Sequence, residues 1–289
     1  MNLKTKAPLV AGVSAFILAN VKLLVGVLSG SMAVISSAMD SIMDSLISAA
    51  NYIAADKADK APDTQFNYGY AKLEALMGFV EGFFITGIGL FLIYASGVKF
   101  FSEPEVIKTD IALYVMIFST IVTFLLILFL QSSFKQTGSL IIKADILHYK
   151  TDLFTNIGII VALVIVKLTG YILIDAIIGV FIGIFIVYSA ISLIKESGRV
   201  LIDEAVPEAV LKDIEKFIDS HSGVTSHHDL KTRKSVDKCY LSAHIVFDTK
   251  ISLLKAHTIG DEIEDYIRDT YSEYSWDINL HFDPSDDSE

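Results

Sequence analysis

Two short strings hold the residues most able to do chemistry: Asp40-Ser41-Ile42-Met43-Asp44 and His148-Tyr149-Lys150-Thr151-Asp152. In each, two metal-binding side chains stand four residues apart, a spacing that stacks both on one face of a helix. Both strings lie in apolar runs long enough to cross a bilayer. A carboxylate there is expensive, therefore rare, and as a rule functional. Brought face to face, the pairs supply one imidazole and three carboxylates, a donor set suited to tetrahedral zinc or a similar divalent ion.

The elements that must position these groups follow from composition. The chain has 289 residues, 53% of them hydrophobic, and a mean hydropathy of +0.54, a membrane-protein profile. Its net charge of −11 is unevenly placed. Residues 1–202 hold 14 acidic and 14 basic side chains, whereas residues 203–289 hold 20 acidic and 9 basic. An apolar, neutral domain over 1–202 is thus followed by an acidic, soluble domain over 203–289. The acidic surplus argues against nucleic acid as a partner, because its phosphates would be repelled, and suits cations. The lone Cys239 excludes an intramolecular disulfide and a Cys-rich zinc module. The first apolar segment runs past signal-peptide length without a clear cleavage site, so it reads as a span.

Six apolar segments are long enough to cross, at residues 9–30, 31–55, 70–101, 110–131, 139–168 and 172–195, given that ~20 residues span the hydrocarbon core. A polar loop at 56–69 and a break at 101–105 punctuate them. Lys4, Lys6, Lys57, Lys60, Lys135, Lys195 and Arg199 fall on one side, and mainly Lys99, Lys108 and Lys167 on the other. The positive-inside rule then places both termini in the cytoplasm. The second and fifth spans are the least apolar, which predicts that they face the bundle interior and line a polar path. Asp145, three residues before His148, is positioned to orient the ring, and Asn20 and Asn156 are candidate outer partners. Glu81 and Asp175 are further intramembrane acids whose role is packing or function.

The tail reads as a small α/β unit: a helix at 207–219, strands at 226–234 and 239–247, a helix at 253–271 and a strand at 276–282. That order fits a ferredoxin-like or related fold. Six of the seven histidines lie in it.

Taken together, these features resemble the cation diffusion facilitator family, most closely its bacterial zinc/iron efflux branch. The likeness spans nearly the whole chain. It is carried by the six spans, the Asp-x-x-x-Asp and His-x-x-x-Asp pairs and the acidic tail. Local strings add to it: Tyr68-Gly69-Tyr70-Ala71-Lys72-Leu73-Glu74, Ala144-Asp145-x-x-His148-x-x-x-Asp152 and His228-Asp229-Leu230-Lys231-Thr232-Arg233. The fold expected is a membrane all-α bundle of six transmembrane helices followed by a cytoplasmic α+β ferredoxin-like domain.

The resemblance implies that Asp40, Asp44, His148 and Asp152 form the transport site, and that His228, His244, His257, His281 and Asp283 bind metal in the cytoplasmic domain. It also implies a homodimer with an ion-pair interlock between Lys72 and Asp203, seated in the bacterial cytoplasmic (inner) membrane. His221 and His227 match nothing in the pattern. Relatives of this branch often hold a second site after the second span, made from an aspartate and two histidines. Here Asp63 keeps the aspartate, but Phe66 and Tyr70 replace the histidines, so no useful loop site is expected.

Charge suggests the mechanism. Emptied, the transport site would hold up to three negative charges at close quarters, so protons should replace the metal. The reading is a secondary transporter, not an enzyme: divalent metal efflux in exchange for protons with alternating access. Zinc is the first expectation; Fe2+, Cd2+, Co2+ and Mn2+ suit the same donors. The alternatives are a non-transporting membrane metal sensor, an intramembrane hydrolase and a passive channel. No His-Glu-x-x-His is present, and four protein ligands leave no open position for a nucleophilic water. A channel would favour weak oxygen rings.

Overall fold

The structure is a computed structural model describing residues 2–29, 32–99, 110–169, 173–236 and 238–286. The side chains of Asp40 and Asp175 and the predicted break at 101–105 lie outside the described residues. The chain divides into two compact units, Met1–Gly198 and Arg199–Glu289.

The first unit is built from long helices: α1 (Leu3–Ser29), α2 (Met32–Ala58), α3 (Lys72–Lys99), α4 (Asp110–Thr137), α5 (Leu140–Thr169) and α6 (Leu173–Leu201). Each has 27 to 30 residues. At ~1.5 Å rise per residue they reach about 40 Å, more than a bilayer core requires. Among the described residues, α1, α3, α4 and α6 contain stretches long and apolar enough to cross a membrane. The two remaining helices, α2 and α5, carry the paired candidate ligands. Outward faces are greasy: Phe84, Phe91, Phe181 and Tyr188 are exposed, a surface suited to lipid rather than water.

Inward faces are small. Ala7 and Ala11 let α1 settle against Leu130 of α4 and against Ile142 and Tyr149 of α5. On α3, a Cβ at Gly82 would lie 2.6 Å from Ile194 Cγ1, and on α6 a Cβ at Gly183 would lie 2.6 Å from Ile93 Cγ1. Glycine at both positions allows α3 and α6 to approach as closely as they do. Gly138, with φ of +63°, turns the chain between α4 and α5, and its N–H donates to Phe134 O at 2.8 Å.

The second unit runs α7 (Glu208–Ser220), β1 (Val224–Lys234), β2 (Lys238–Phe247), α8 (Leu253–Thr270) and β3 (Ser275–Asp283). The sheet order is β1-β2-β3, with β1 antiparallel and β3 parallel to β2. Strand alternation decides what each face does. Cys239, Leu241, Ala243, Ile245 and Phe247 point to one side of β2 and pack with Ile214 and Ile218 of α7 and Ile259, Ile263 and Ile267 of α8. Both helices therefore cover the same face and leave the other for polar groups. Ser252 opens α8 by accepting from Lys255 N–H.

Candidate metal centres

In the helical unit, α2 and α5 are joined by polar bonds before any ion is considered. Tyr149 and Ser48 share a hydrogen bond at 3.0 Å. Tyr149 also donates to Ala11 O at 3.5 Å, which ties in α1. Asn51 Nδ2 donates to Asp145 Oδ1 at 2.7 Å and to Glu81 Oε2 at 2.9 Å, so one buried amide fastens α2 to both α5 and α3.

This framework sets the spacing at His148. Its Nε2 lies 2.9 Å from Asp44 Oδ1 and 3.9 Å from Asp152 Oδ2. One ligand atom each from Asp44, His148 and Asp152 fits within a mutual 4.8 Å. The ring is buried, while both carboxylates are partly open. A nitrogen and two carboxylate oxygens at this separation can close on one divalent ion with modest adjustment. The fourth predicted ligand, Asp40, stands one helical turn before Asp44 on α2, and its side chain is outside the described residues.

The expected role of Asp145 needs correction. Its carboxylate takes the Asn51 amide instead of steering the His148 ring. Asn20 likewise donates to Phe16 O on its own exposed helix face. Asn156 is half-buried on α5. What the sequence reading missed is Asn51. Its signal was present: it lies seven residues after Asp44, two turns along the same face of a Ser- and Ala-rich helix. Lys22 is buried mid-helix on α1, with Nζ donating to Ser41 Oγ at 2.8 Å.

The loop after α2 is organised by Asp63. Its Oδ1 accepts from the N–H groups of Gln65 and Phe66, both at 2.8 Å, and its Oδ2 accepts from the Tyr70 hydroxyl at 2.6 Å. The Tyr70 bond foremost, then the two backbone bonds, hold the Asp63 carboxyl below its ordinary range. The residue acts as the hub of a turn.

In the second unit, His228, His244 and His281 occupy one register position across all three strands. Neighbouring imidazoles sit with ring centroids 4.7 Å apart. Asp283, two residues beyond His281 and hence on the same face, reaches all three: Oδ2 is 2.8 Å from His244 Nδ1 and 3.6 Å from His228 Nε2, and Oδ1 is 3.2 Å from His281 Nε2. A bulge follows His228, where Asp229 takes a positive φ of 53°. Such an irregularity re-aims the side chain beside it. His228, His244 and Asp283 form a group whose ligand atoms lie within 4.8 Å of one another.

His257 is not brought to this cluster. It lies exposed on α8, 3.6 Å from Asp261, because α8 covers the opposite face of the sheet. His227 pairs with Asp219 at 2.8 Å and His221 lies 3.6 Å from Glu262, so neither joins the row. Lys72 opens α3 in the helical unit; Asp203, in the other unit, has its carboxylate 3.7 Å from Arg233 Nη1.

Comparison with known proteins places these two units. Residues 9–202 match the cation efflux transmembrane domain, and residues 206–285 match the cation efflux protein cytoplasmic domain. The chain is 34% identical to protein p34 of Rickettsia prowazekii over 275 residues, covering 94% of this chain and 89% of that protein. It is 30% identical over 257 residues to the cation-efflux pump FieF of Pectobacterium atrosepticum, covering 89% and 84%. With the FieF of Klebsiella pneumoniae it shares 28% identity over 284 residues, covering 98% and 93%. Six long helices with a triad of possible metal ligands, a small sheet domain bearing a second cluster and matches over both domains agree: the chain belongs to the cation efflux family, the cation diffusion facilitators, membrane proteins that export divalent metal ions.

Proposed function

We propose that this protein exports a divalent transition metal, zinc foremost, in exchange for hydrogen ions. The observation that carries the reading is the convergence of Asp44, His148 and Asp152, whose ligand atoms fit within 4.8 Å, with Asp40 one turn away on α2. The imidazole disfavours Mg2+ and Ca2+, which prefer all-oxygen cages. Fe2+, Cd2+, Co2+ and Mn2+ remain substrates to be compared.

Carboxylates crowded in a low-dielectric site cannot stay ionised together without a cation, so departure of metal draws hydrogen ions in. Alternating access then follows: the site loads from the cytoplasm, opens outward, releases the ion and returns protonated. The bundle sits in the bacterial cytoplasmic membrane with both termini inside. The protein works as a homodimer, in which Lys72 and Asp203 form an interlock. The His228, His244, His281 and Asp283 cluster holds metal that steadies the cytoplasmic domains against their mutual negative charge, and His257 enters such a site only from a second copy.

The second reading, a membrane metal sensor, is favoured by that same cytoplasmic cluster, a second set of side chains able to hold metal. Flux separates the two. In proteoliposomes with an imposed pH gradient, the wild type is expected to move zinc and Asp152→Ala to move none while remaining folded. Zinc movement by Asp152→Ala at the wild-type rate overturns the site assignment. A folded wild type that moves no metal of the panel favours the sensor.

A further inference from the structure

Glu81 of α3 and Asp145 of α5 are two carboxyl groups buried in the bundle on either side of one amide. Asn51 is fully buried, Glu81 is 3% exposed and Asp145 is 1% exposed. The Asn51 nitrogen donates one N–H to each acid. The bonded carboxyl oxygens therefore lie only ~5 Å apart, as two hydrogen bonds diverging from one planar amide require.

The donors do not match the acceptors. The three side chains offer five oxygens, and the amide supplies two N–H groups. Three oxygens remain, Asn51 Oδ1, Glu81 Oε1 and Asp145 Oδ2, each buried and reached by no donor among the described residues. Orphaned buried acceptors are costly, and two adjoining negative charges in a dry interior more so.

A metal ion is a poor remedy. The place between the acids where a bridging cation would sit is taken by the Asn51 NH2, whose hydrogens repel it. A hydrogen ion needs no such room. Bound to Glu81 Oε1 or Asp145 Oδ2, it converts one carboxylate to a carboxylic acid, removes one negative charge and adds one donor.

The place of the trio in the bundle gives that hydrogen ion a task. Asn51 is seven residues beyond Asp44, about 10 Å along α2, and Asp145 is three residues before His148, about 4.5 Å along α5. Because α2 and α5 run in opposite senses, both offsets lead to the end of the bundle where α2 stops and α3 and α5 begin. Among the described residues, the other titratable groups near the pair are His148 and Tyr149, both on α5. Among the described residues, no hydrogen bond joins the pair to Asp44 or His148, and the bonds of both acids run through Asn51.

We propose that Glu81 and Asp145 form an acid pair that binds one hydrogen ion beside the transport triad and gives it up when a divalent cation arrives there. Presence of the hydrogen ion stands on the pair alone; its release on metal arrival rests on the transport reading above.

Infrared spectroscopy of the purified full chain in lipid tests it, with zinc as the added ion. The wild type at neutral pH should show a carboxylic acid C=O band that shifts in D2O and declines as zinc is added. Glu81→Gln/Asp145→Asn should lose that band, and the hydrogen ions released per zinc bound in weak buffer should drop by about one. If the double variant does not fold, Glu81→Gln alone keeps the shape, supplies a donor and should show the same loss. Wild-type and variant spectra that coincide, or equal proton release, overturn the proposal. A second zinc bound by wild type and lost in Glu81→Gln overturns it too, in favour of a metal site. Absence of zinc flux in wild type with the band intact would strike the transport reading and spare the acid pair.

Discussion

Replacing Asp44 by Asn tests the transport triad with the least change of shape. The substitution keeps the side-chain volume and removes one negative charge 2.9 Å from His148 Nε2. Two unit charges about 4 Å apart attract by ~4 kcal/mol at an effective dielectric near 20, and a dication doubles that to ~8 kcal/mol. Stripping water from ion and carboxylate takes back several kcal/mol. A net loss of roughly 2–4 kcal/mol remains, which weakens binding by about 30- to 1,000-fold. The assay is equilibrium zinc competition on the purified full chain, carried out in a His228→Ala/His244→Ala background so that the second cluster is silent. Thermal unfolding without metal supplies the control. A zinc Kd unaltered by Asp44→Asn in a folded protein would refute the claim that this carboxylate is a ligand.

Three further outcomes follow. Asp283→Asn removes the carboxylate that reaches His228, His244 and His281, so the full chain should lose zinc affinity at the cytoplasmic cluster by more than ~10-fold, while flux through an intact triad is still measurable. Asp63→Ala should leave zinc stoichiometry and affinity as they are, yet speed proteolysis across residues 60–70, because it removes the hub of that turn. Zinc binding that vanished with Asp63 would refute that reading. Asp213 accepts from the Tyr266 and Tyr271 hydroxyls, and chiefly the Tyr266 bond holds its carboxyl below the ordinary range. A carboxyl depressed in the folded state stabilises at neutral pH and loses that contribution as pH falls below about 4 toward the native value. The midpoint difference between wild type and Asp213→Asn should accordingly shrink on acidification; a difference that grows would show the sign to be wrong.

Sequence alone determined the broad plan of this protein, because that plan rests on one-dimensional signals. Runs of apolar residues specify long helices, and a four-residue spacing specifies a shared helix face. The pairing of Asp44 with the His148 and Asp152 string as candidate ligands is therefore legible from spacing alone. Alternation along β1 and β2 likewise marks them as strands. What neighbouring elements do to one another was not legible. The register that aligns His228, His244 and His281, and the bulge that aims His228, depend on strand pairing across distant segments. His257 looked equivalent to those three until the packing of α8 put it behind the sheet. Asp145 looked like a partner for His148, three residues along its own helix; a side chain from α2 claimed it instead. The joining of Glu81, Asn51 and Asp145 is the plainest case, since three helices from remote parts of the chain must meet before two acids share one amide. Spacing within a helix is written by its own residues, whereas a contact between helices is set by how closely small side chains let them pack.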